Sequence, residues 1–258
     1  MNNYEKLEGM VAATFTPLDE NGDVNLSVID KYADWIASTP IKGVFVCGTT
    51  GEFSSLTIDE RKLILEKWLV SARKRFKVIA HVGSNCQRSA MELARHAAQV
   101  GADAIASIAP SFFKPGTVDE LVDFFAPICH SAAGLPFYYY NMPSITGVNL
   151  PVDKFLVEGK KKIPNLVGTK FTHNNLMEMG VCIELEQHRF EVLHGYDEIL
   201  ISGLAMGAVA GVGSTYNYIP NVYQAIFDSM KMNDLETARH NQIKSIRTVE
   251  VIIKYGGG

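Results

Sequence analysis

Short apolar runs alternate with amphipathic segments along most of the chain, and this alternation constrains the fold more than any other feature. Helical segments lie between the runs, and in the first of these the apolar residues are spaced as on a one-sided helix: Ile29, Tyr32, Ala33 and Ile36. Eight runs have the length and composition of buried strands: residues 11–15, 43–47, 78–82, 104–108, 137–140, 166–170, 191–194 and 208–212. Such repetition predicts a parallel sheet with crossover helices.

Eight strand–helix units without a change in composition favour a closed (β/α)8 TIM barrel over an open doubly wound sheet. An open sheet would need a glycine-rich loop after its first strand, and residues 14–19 (TFTPLD) do not form one. Capping boxes that begin at Thr57 and Thr117 mark the starts of two helices. A length of 258 residues suits one such barrel, so we expect residues 1–258 to be a single domain.

The last part of the chain, residues 233–258, predicts the start of a C-terminal helical extension beyond the eighth unit. Its apolar residues lie on one side of the helix: Ile243, Ile246, Val249 and Ile253. This stripe requires a cover, which could be the barrel, a second subunit or a further helical segment. Because residues 256–258 are three glycines, we expect an extension that is truncated here.

Composition excludes several classes of function. The net charge is −4 without a basic stripe, which argues against nucleic-acid binding. The longest apolar stretch, residues 199–213, is shorter than the ~20 residues of a membrane span, and residues 1–6 do not resemble a signal peptide. The four cysteines are far apart, as in reduced proteins. No histidine pair has the helical spacing of a metal site. We therefore expect a cytoplasmic protein that acts on a small molecule, without a metal.

Lys170 ends the sixth apolar run, and Tyr140 ends the fifth. Reactive groups of a (β/α)8 barrel lie at the carboxyl ends of its strands, so neighbouring strands would bring this amine and phenol together. A desolvated lysine favours its neutral, nucleophilic form, which suits Schiff-base chemistry on a ketone. From this run alone, the favoured alternative is a lysine whose buried stem carries its charge to solvent.

Other strand ends carry further polar groups. Thr49 and Thr50, in the loop 48–52 (GTTGE), could donate hydrogen bonds to a carboxylate, although the loop could also be an ordinary glycine turn. Two acids, Asp197 and Glu198, follow the seventh run and could hold a ligand or begin a helix. The strand ends together point to one site. His173 and His194 lie near it, and we expect secondary roles for both.

These segments resemble the pyruvate-dependent class I aldolases of the dihydrodipicolinate synthase and N-acetylneuraminate lyase family, from about residue 9 to the end of the chain. Residues 48–52 are similar to the loop that binds the pyruvate carboxylate, residues 140–143 (YNMP) to the segment with the catalytic tyrosine, and residues 168–170 (GTK) to the strand end with the Schiff-base lysine. The resemblance implies a homotetramer that needs no cofactor, because the lysine itself supplies the electron sink.

Two features resemble the lyase branch of the family. Residues 195–198 (GYDE) with 213–217 (GSTYN) are similar to its sugar-binding pattern, and Ile145 stands where synthases typically have an arginine that grips a dicarboxylic substrate. Phe112 occupies a position that is usually tyrosine in bacterial members and resembles the animal enzymes. The residues that the resemblance then assigns to substrate binding are Thr49, Thr50, Thr172, Gly195, Asp197, Glu198 and Ser214.

The expected reaction is the cleavage of N-acetylneuraminate to pyruvate and N-acetylmannosamine, with Lys170 and Tyr140 as the catalytic residues. An aldolase for another 2-keto-3-deoxy sugar acid would share Lys170, Tyr140 and the threonine loop. A non-catalytic sugar-acid-binding barrel is a third alternative, in which the lysine would be unreactive.

Overall fold

The computed structural model describes residues 4–256. Eight parallel strands close into a barrel in chain order, with the first strand paired to the eighth. The strands are β1 (Gly9–Ala13), β2 (Gly43–Val46), β3 (Lys77–His81), β4 (Ala104–Ile108), β5 (Phe137–Asn141), β6 (Leu166–Phe171), β7 (Glu191–His194) and β8 (Ala210–Gly213). The predicted (β/α)8 barrel is confirmed.

Ten α-helices connect and surround the strands of the described chain. They are α1 (Val28–Ala37), α2 (Ile58–Ala72), α3 (Gln87–Val100), α4 (Val118–His130), α5 (Pro143–Thr146), α6 (Val152–Lys162), α7 (Leu176–Glu184), α8 (Leu200–Ala205), α9 (Pro220–Lys231) and α10 (Leu235–Lys254). Short 3₁₀ helices follow three strands, at Phe53–Ser55, Asp197–Ile199 and Thr215–Asn217.

The first and last strands differ from their predicted bounds. Strand β1 starts at Gly9 instead of residue 11, and β8 starts at Ala210 instead of residue 208. Gly9 pairs in register with Ala210 and has a positive φ of 81°, which glycine adopts without strain. Apolar composition reports burial, whereas the ladder is set by hydrogen bonds, so strand ends shift by two residues.

Alternation along each strand divides the core into two parts. Tyr138 and Tyr140 point into the barrel, whereas Tyr139 points outward and packs on Phe125 and Phe155 of the helical layer. The period of two therefore places every second residue of β5 inside the barrel. This is how Tyr140 comes to face its interior.

The two predicted helix caps differ in detail. Thr57 forms a complete capping box, because it accepts from the amide of Glu60 and its own amide donates to the Glu60 carboxylate. Thr117 accepts from the amide of Glu120, but that carboxylate accepts from Gly116 instead. Each side-chain cap of this kind contributes about 1 kcal/mol to the stability of its helix.

The predicted C-terminal helix exists as α10, but it does not pack through its apolar stripe. Ile243 and Ile253 remain 44% and 59% exposed, so the barrel is not the cover for this stripe. The helix instead buries a small and polar face: Ala238, Asn241, Gln242 and Ser245. It packs on α8, α9 and the Asp197–Ile199 turn, where polar backbone groups need partners. Residues 257 and 258 of the predicted extension lie outside the described residues.

Candidate active site

Lys170 and Tyr140 lie side by side inside the barrel. They are register partners on β6 and β5, and Lys170 is only 4% exposed. Its Nζ lies 4.1 Å from the centre of the Tyr140 ring and 4.5 Å from that of Phe45. Within residues 4–256, no carboxylate forms an ion pair with this amine. The surroundings of the amine in the barrel are therefore aromatic and largely closed to water.

The Tyr140 hydroxyl connects the lysine to the threonine loop. It lies 3.1 Å from Thr49 Oγ1, and it donates to the sulfur of Met142. Thr50 is the half-buried next residue of the loop. Gly48 lets the loop approach closely, because a Cβ at this position would lie 2.7 Å from the Phe45 ring. The structure thus brings the predicted carboxylate-binding loop to the catalytic tyrosine candidate.

Thr172 and Gly195 touch each other at the ends of β6 and β7. Thr172 is buried, and its Oγ1 has no hydrogen-bond partner among the described residues. A Cβ at position 195 would lie 2.0 Å from that oxygen, so only glycine permits this approach. A buried hydroxyl without a partner costs free energy, and a ligand hydroxyl or carboxylate could satisfy it.

Asp197 is a buried carboxylate with one bound and one free oxygen. Its Oδ2 accepts hydrogen bonds from the amide and the hydroxyl of Thr215, at 2.8 and 2.7 Å. Its Oδ1 is buried without a partner among residues 4–256, and a Cβ on Gly213 would lie only 1.6 Å from it. Burial raises the pKa of Asp197 to about 6, although the two hydrogen bonds from Thr215 lower it.

Glu198 and Ser214 complete this side of the site. Both residues are half-buried, Glu198 within the Asp197–Ile199 turn and Ser214 directly after β8. The carbonyl of Ser214 accepts two hydrogen bonds from Asn217, from its amide and its side chain. Thus the predicted sugar-binding residues come from the carboxyl ends of β7 and β8, and β1 separates β8 from the strand that carries the threonine loop.

His81 is a site residue that the sequence did not indicate. Its ring centre lies 5.9 Å from that of Tyr140 and 5.8 Å from that of Phe45. Nε2 accepts from the amide of Ile108, so Nδ1 carries the proton and donates to the carbonyl of Cys47 at 2.8 Å. Burial holds the pKa of His81 well below its ordinary value, so the ring is neutral. Alternation along β3 could have located it, because residue 79 also faces inward.

His194 lies on the outer side of β7. It is fully buried, and it packs so closely on α8 that a Cβ on Gly203 would lie 2.5 Å from its Cγ. Burial lowers the pKa of His194 to about 4, so it is neutral at physiological pH. It therefore does not line the interior next to Lys170. His173 is half-buried after β6.

A surface groove of about 1070 Å³ lies at the opposite, amino-terminal end of the barrel, near Lys42, Phe76 and Asp103, and none of the predicted site residues lines it.

No cluster of three or more His, Cys, Asp or Glu side chains suited to a metal ion occurs in residues 4–256. None of the helices in that range combines the length and apolar character needed to cross a membrane.

Comparison with known proteins decides the family. Residues 6–256 match the Dihydrodipicolinate synthetase family. The chain belongs to this family. It is 42% identical to the N-acetylneuraminate lyase of Mus musculus, in an alignment that covers 98% of this chain and 80% of the mouse protein. The family resemblance seen in the sequence is thereby confirmed.

Two solved structures of N-acetylneuraminate lyases are similar to this chain. The enzyme of Proteus mirabilis aligns with a TM-score of 0.95 and 36% identity over 98% of this chain and 85% of its own. The enzyme of Aliivibrio salmonicida, also named sialic acid aldolase, aligns with a TM-score of 0.95 and 38% identity over 98% of this chain and 84% of its own. The barrel and its C-terminal helix thus match those of sialic acid aldolases.

Proposed function

We propose that this protein is an N-acetylneuraminate lyase, a class I aldolase that cleaves N-acetylneuraminate to pyruvate and N-acetylmannosamine. The observation that carries the proposal is the buried Lys170 amine, which lies against the Tyr140 ring without a carboxylate partner among the described residues. The N-acetylneuraminate lyases that resemble this chain over nearly its whole length support the same reaction.

The reaction begins with attack of the neutral Lys170 amine on the ketone carbon, C2, of the substrate. The adduct loses water and becomes a protonated Schiff base, whose positive nitrogen can accept an electron pair. A carboxylate paired with Lys170 would hold the amine protonated and block this step. The aromatic surroundings of the amine favour the step because they exclude water and offer no such partner.

Cleavage of the C3–C4 bond then sends its electron pair toward the Schiff-base nitrogen and leaves an enamine of pyruvate. The proton of the C4 hydroxyl leaves at the same time, through Tyr140 acting together with the substrate carboxylate. The aldehyde so formed is N-acetylmannosamine. Protonation of the enamine at C3 and hydrolysis of the resulting Schiff base release pyruvate and regenerate the amine.

Two sides of the site divide the substrate between them. Thr49 and Thr50 hold the carboxylate beside Tyr140, because hydroxyl and backbone donors of a glycine-flanked loop suit an anion. On the other side, the polyhydroxylated chain contacts a set of mostly acceptor groups: Gly195, Asp197, Glu198 and Ser214. The free Oδ1 of Asp197 supports this role, since it can accept a substrate hydroxyl. The Thr172 hydroxyl, which has no hydrogen-bond partner among the described residues, lies against Gly195 on this second side.

A substrate comparison tests the proposed specificity. Pyruvate release from N-acetylneuraminate should far exceed release from 2-keto-3-deoxygluconate, because only the longer chain reaches the Asp197 side. Faster release from the shorter acid would favour the alternative aldolase. Binding of both acids without any pyruvate release would favour a non-catalytic barrel.

The assembly and location of the enzyme are also proposals, namely a homotetramer in the cytoplasm. Large apolar side chains that the single chain leaves in solvent support self-association, among them Phe112 and Phe113, which are 77% and 86% exposed. The four cysteines are unpaired, which suits a reducing compartment. Light scattering on the purified protein and cell fractionation test the two proposals. A monomer would contradict the first, and recovery outside the cytoplasm the second.

A further inference from the structure

The C-terminal helix α10 turns a polar face toward the barrel. Gln242 is 4% exposed and Ser245 is fully buried, whereas Ile253 on the same helix is 59% exposed. A surface helix normally buries its apolar side. A buried amide side chain is unfavourable unless hydrogen bonds satisfy it, so this arrangement requires an explanation in the contacts of Gln242.

Both ends of the Gln242 amide bind the backbone of the turn that follows β7. Its Nε2 donates to the carbonyl of Asp197 at 2.9 Å, and its Oε1 accepts from the amide of Ile201 at 2.8 Å. Ser245 fixes the orientation of the amide by accepting from Nε2 at 2.6 Å. One side chain of α10 thus bridges two backbone groups that flank Glu198.

The carboxylate of Asp197 is held separately, from the other side. Thr215 donates to its Oδ2 twice, and Tyr223 of α9 lies 2.5 Å from the Thr215 hydroxyl. Gln242 therefore fixes the main chain of Asp197 while Thr215 fixes its Oδ2. Of the two carboxylate oxygens, Oδ1 has no hydrogen-bond partner in residues 4–256, and its position is determined by both sets of bonds.

We propose that Gln242 is a positioning residue that sets Asp197 and Glu198 for the hydroxyls of the substrate, and so makes α10 part of the specificity of the enzyme. This inference rests on the proposed function. No hydrogen bond of Gln242 reaches Lys170 or Thr49. Gln242 therefore acts on the binding of the sugar chain and leaves the pyruvate half of the site alone.

The variant Gln242→Met tests the inference, since it keeps the length of the side chain and removes both polar ends. Its KM for N-acetylneuraminate should rise by about tenfold or more, because misplaced binding groups lose contacts with the substrate. The pyruvate concentration that gives half-maximal borohydride trapping should stay within about twofold of wild type, as expected from a site half that is untouched.

Asn241→Leu is the matched control. Asn241 is the buried neighbour on the same helix, and its amide donates only within α10, to the carbonyl of Thr237. It should keep the KM of wild type. Gln242→Glu is the second test, and it replaces Gln242→Met if that variant does not fold. It keeps the acceptor for the Ile201 amide but loses the donor to the Asp197 carbonyl. Its KM for N-acetylneuraminate should therefore also rise.

An unchanged KM in a folded Gln242 variant overturns the inference, and so does an equal loss of pyruvate trapping and sugar cleavage. A rise in KM for Asn241→Leu as large as that for Gln242→Met also overturns it, because the effect would then be a general one of the helix. Wild-type protein that neither cleaves N-acetylneuraminate nor forms a pyruvate adduct overturns the proposed function itself, and that result is seen before any variant is measured.

Discussion

Strands β5, β6 and β7 carry two rows of inward-facing residues, two positions apart along each strand. The rows differ in whether their ionisable side chain forms hydrogen bonds. In register across the three strands, the upper row, at the carboxyl ends, consists of Tyr140, Lys170 and Leu193. The lower row, toward the amino ends, consists of Tyr138, Gly168 and Glu191. Each row holds a tyrosine and one further ionisable residue, but only in the lower row does the side chain of that residue form hydrogen bonds, through one of its two carboxylate oxygens.

The lower row is tied to the start of the chain. Glu191 Oε2 accepts hydrogen bonds from the Tyr138 hydroxyl at 2.9 Å and from the amide of Leu7 at 3.0 Å. The hydroxyl of Tyr4 lies 3.2 Å from that of Tyr138 and covers this end. Burial raises the pKa of Glu191 from its ordinary 4.5 to about 7. The row therefore closes the barrel and links the first described residues to β7.

The spacing between the rows keeps amine and carboxylate apart. Two residues along a strand span about 7 Å, and among the described residues Glu191 forms no ion pair with Lys170. Gly168 brings β6 and β7 together in the lower row, since a Cβ there would lie 2.0 Å from the Glu191 carbonyl. One set of strands can therefore keep a reactive amine at one end and a stabilising carboxyl at the other.

Replacement of the Lys170 amine should have the largest effect on activity. Lys170→Met removes the nucleophile, and turnover of N-acetylneuraminate should fall by roughly 10⁴-fold or more, the scale seen when a covalent nucleophile is lost. Lys170→Arg is the control for charge, because it keeps the cation but cannot form a Schiff base at neutral pH. A coupled assay for pyruvate measures both variants. Activity within tenfold of wild type in either one contradicts the role of Lys170.

The two tyrosines offer the next test, since the same substitution can be made in each row. Tyr140→Phe should lower kcat by about 10²- to 10⁴-fold, as expected when a general acid–base group is removed. Tyr138→Phe should leave kcat near that of wild type and lower the free energy of unfolding, because Glu191 loses a hydrogen bond. Equal effects of the two substitutions on kcat would show that the rows do not differ in function.

A carboxylate placed in the upper row should remove the difference between the two rows and slow the reaction of the amine. Leu193 is the register partner of Lys170 on β7, so Leu193→Glu places an acid beside the amine. The acid favours the ammonium form, and adduct formation with pyruvate at pH 7 should slow by roughly tenfold or more relative to Leu193→Gln. The glutamine variant controls for size and polarity. Equal rates in the two variants would mean that charge at the amine does not limit the reaction.

The smallest effect on activity is expected from Glu191→Gln in the lower row. Between pH 4.5 and about 7 the unfolded chain ionises this group while the folded chain keeps its proton, so wild type loses stability as pH rises. The loss should be about 3 kcal/mol, complete above pH 7, and absent in the variant. Urea unfolding at several pH values measures the difference between the two proteins. A difference that does not change with pH contradicts the raised pKa.

The sequence predicted the barrel and the pairing of Lys170 with Tyr140, because both follow from strand order. Parallel strands share one carboxyl end, so residues that close neighbouring runs must meet there. The period of two then separates inward from outward residues without further information. The residues of the threonine loop and of the Asp197 side could be placed at the mouth by the same reasoning.

Other features depend on contacts that periodicity does not report. The apolar stripe of α10 left three covers open, and it could not indicate that a polar face packs on the barrel, because Gln242 is buried by two specific hydrogen bonds to a turn some forty positions earlier in the chain. The sequence did not indicate His81 as a site residue, because it does not distinguish a neutral histidine inside a barrel from other polar residues near strand ends. The neutrality of His81 comes from burial, and the amide of Ile108 and the carbonyl of Cys47, which only the fold brings together, fix its tautomer.

Borohydride trapping with pyruvate is the most direct test of a Schiff base on Lys170. Reduction converts a Schiff base into a stable secondary amine, and peptide mass spectrometry then identifies the modified lysine. We predict a single adduct, on Lys170, that requires pyruvate and disappears in Lys170→Arg. No adduct, or an adduct on another lysine that persists in that variant, would contradict it.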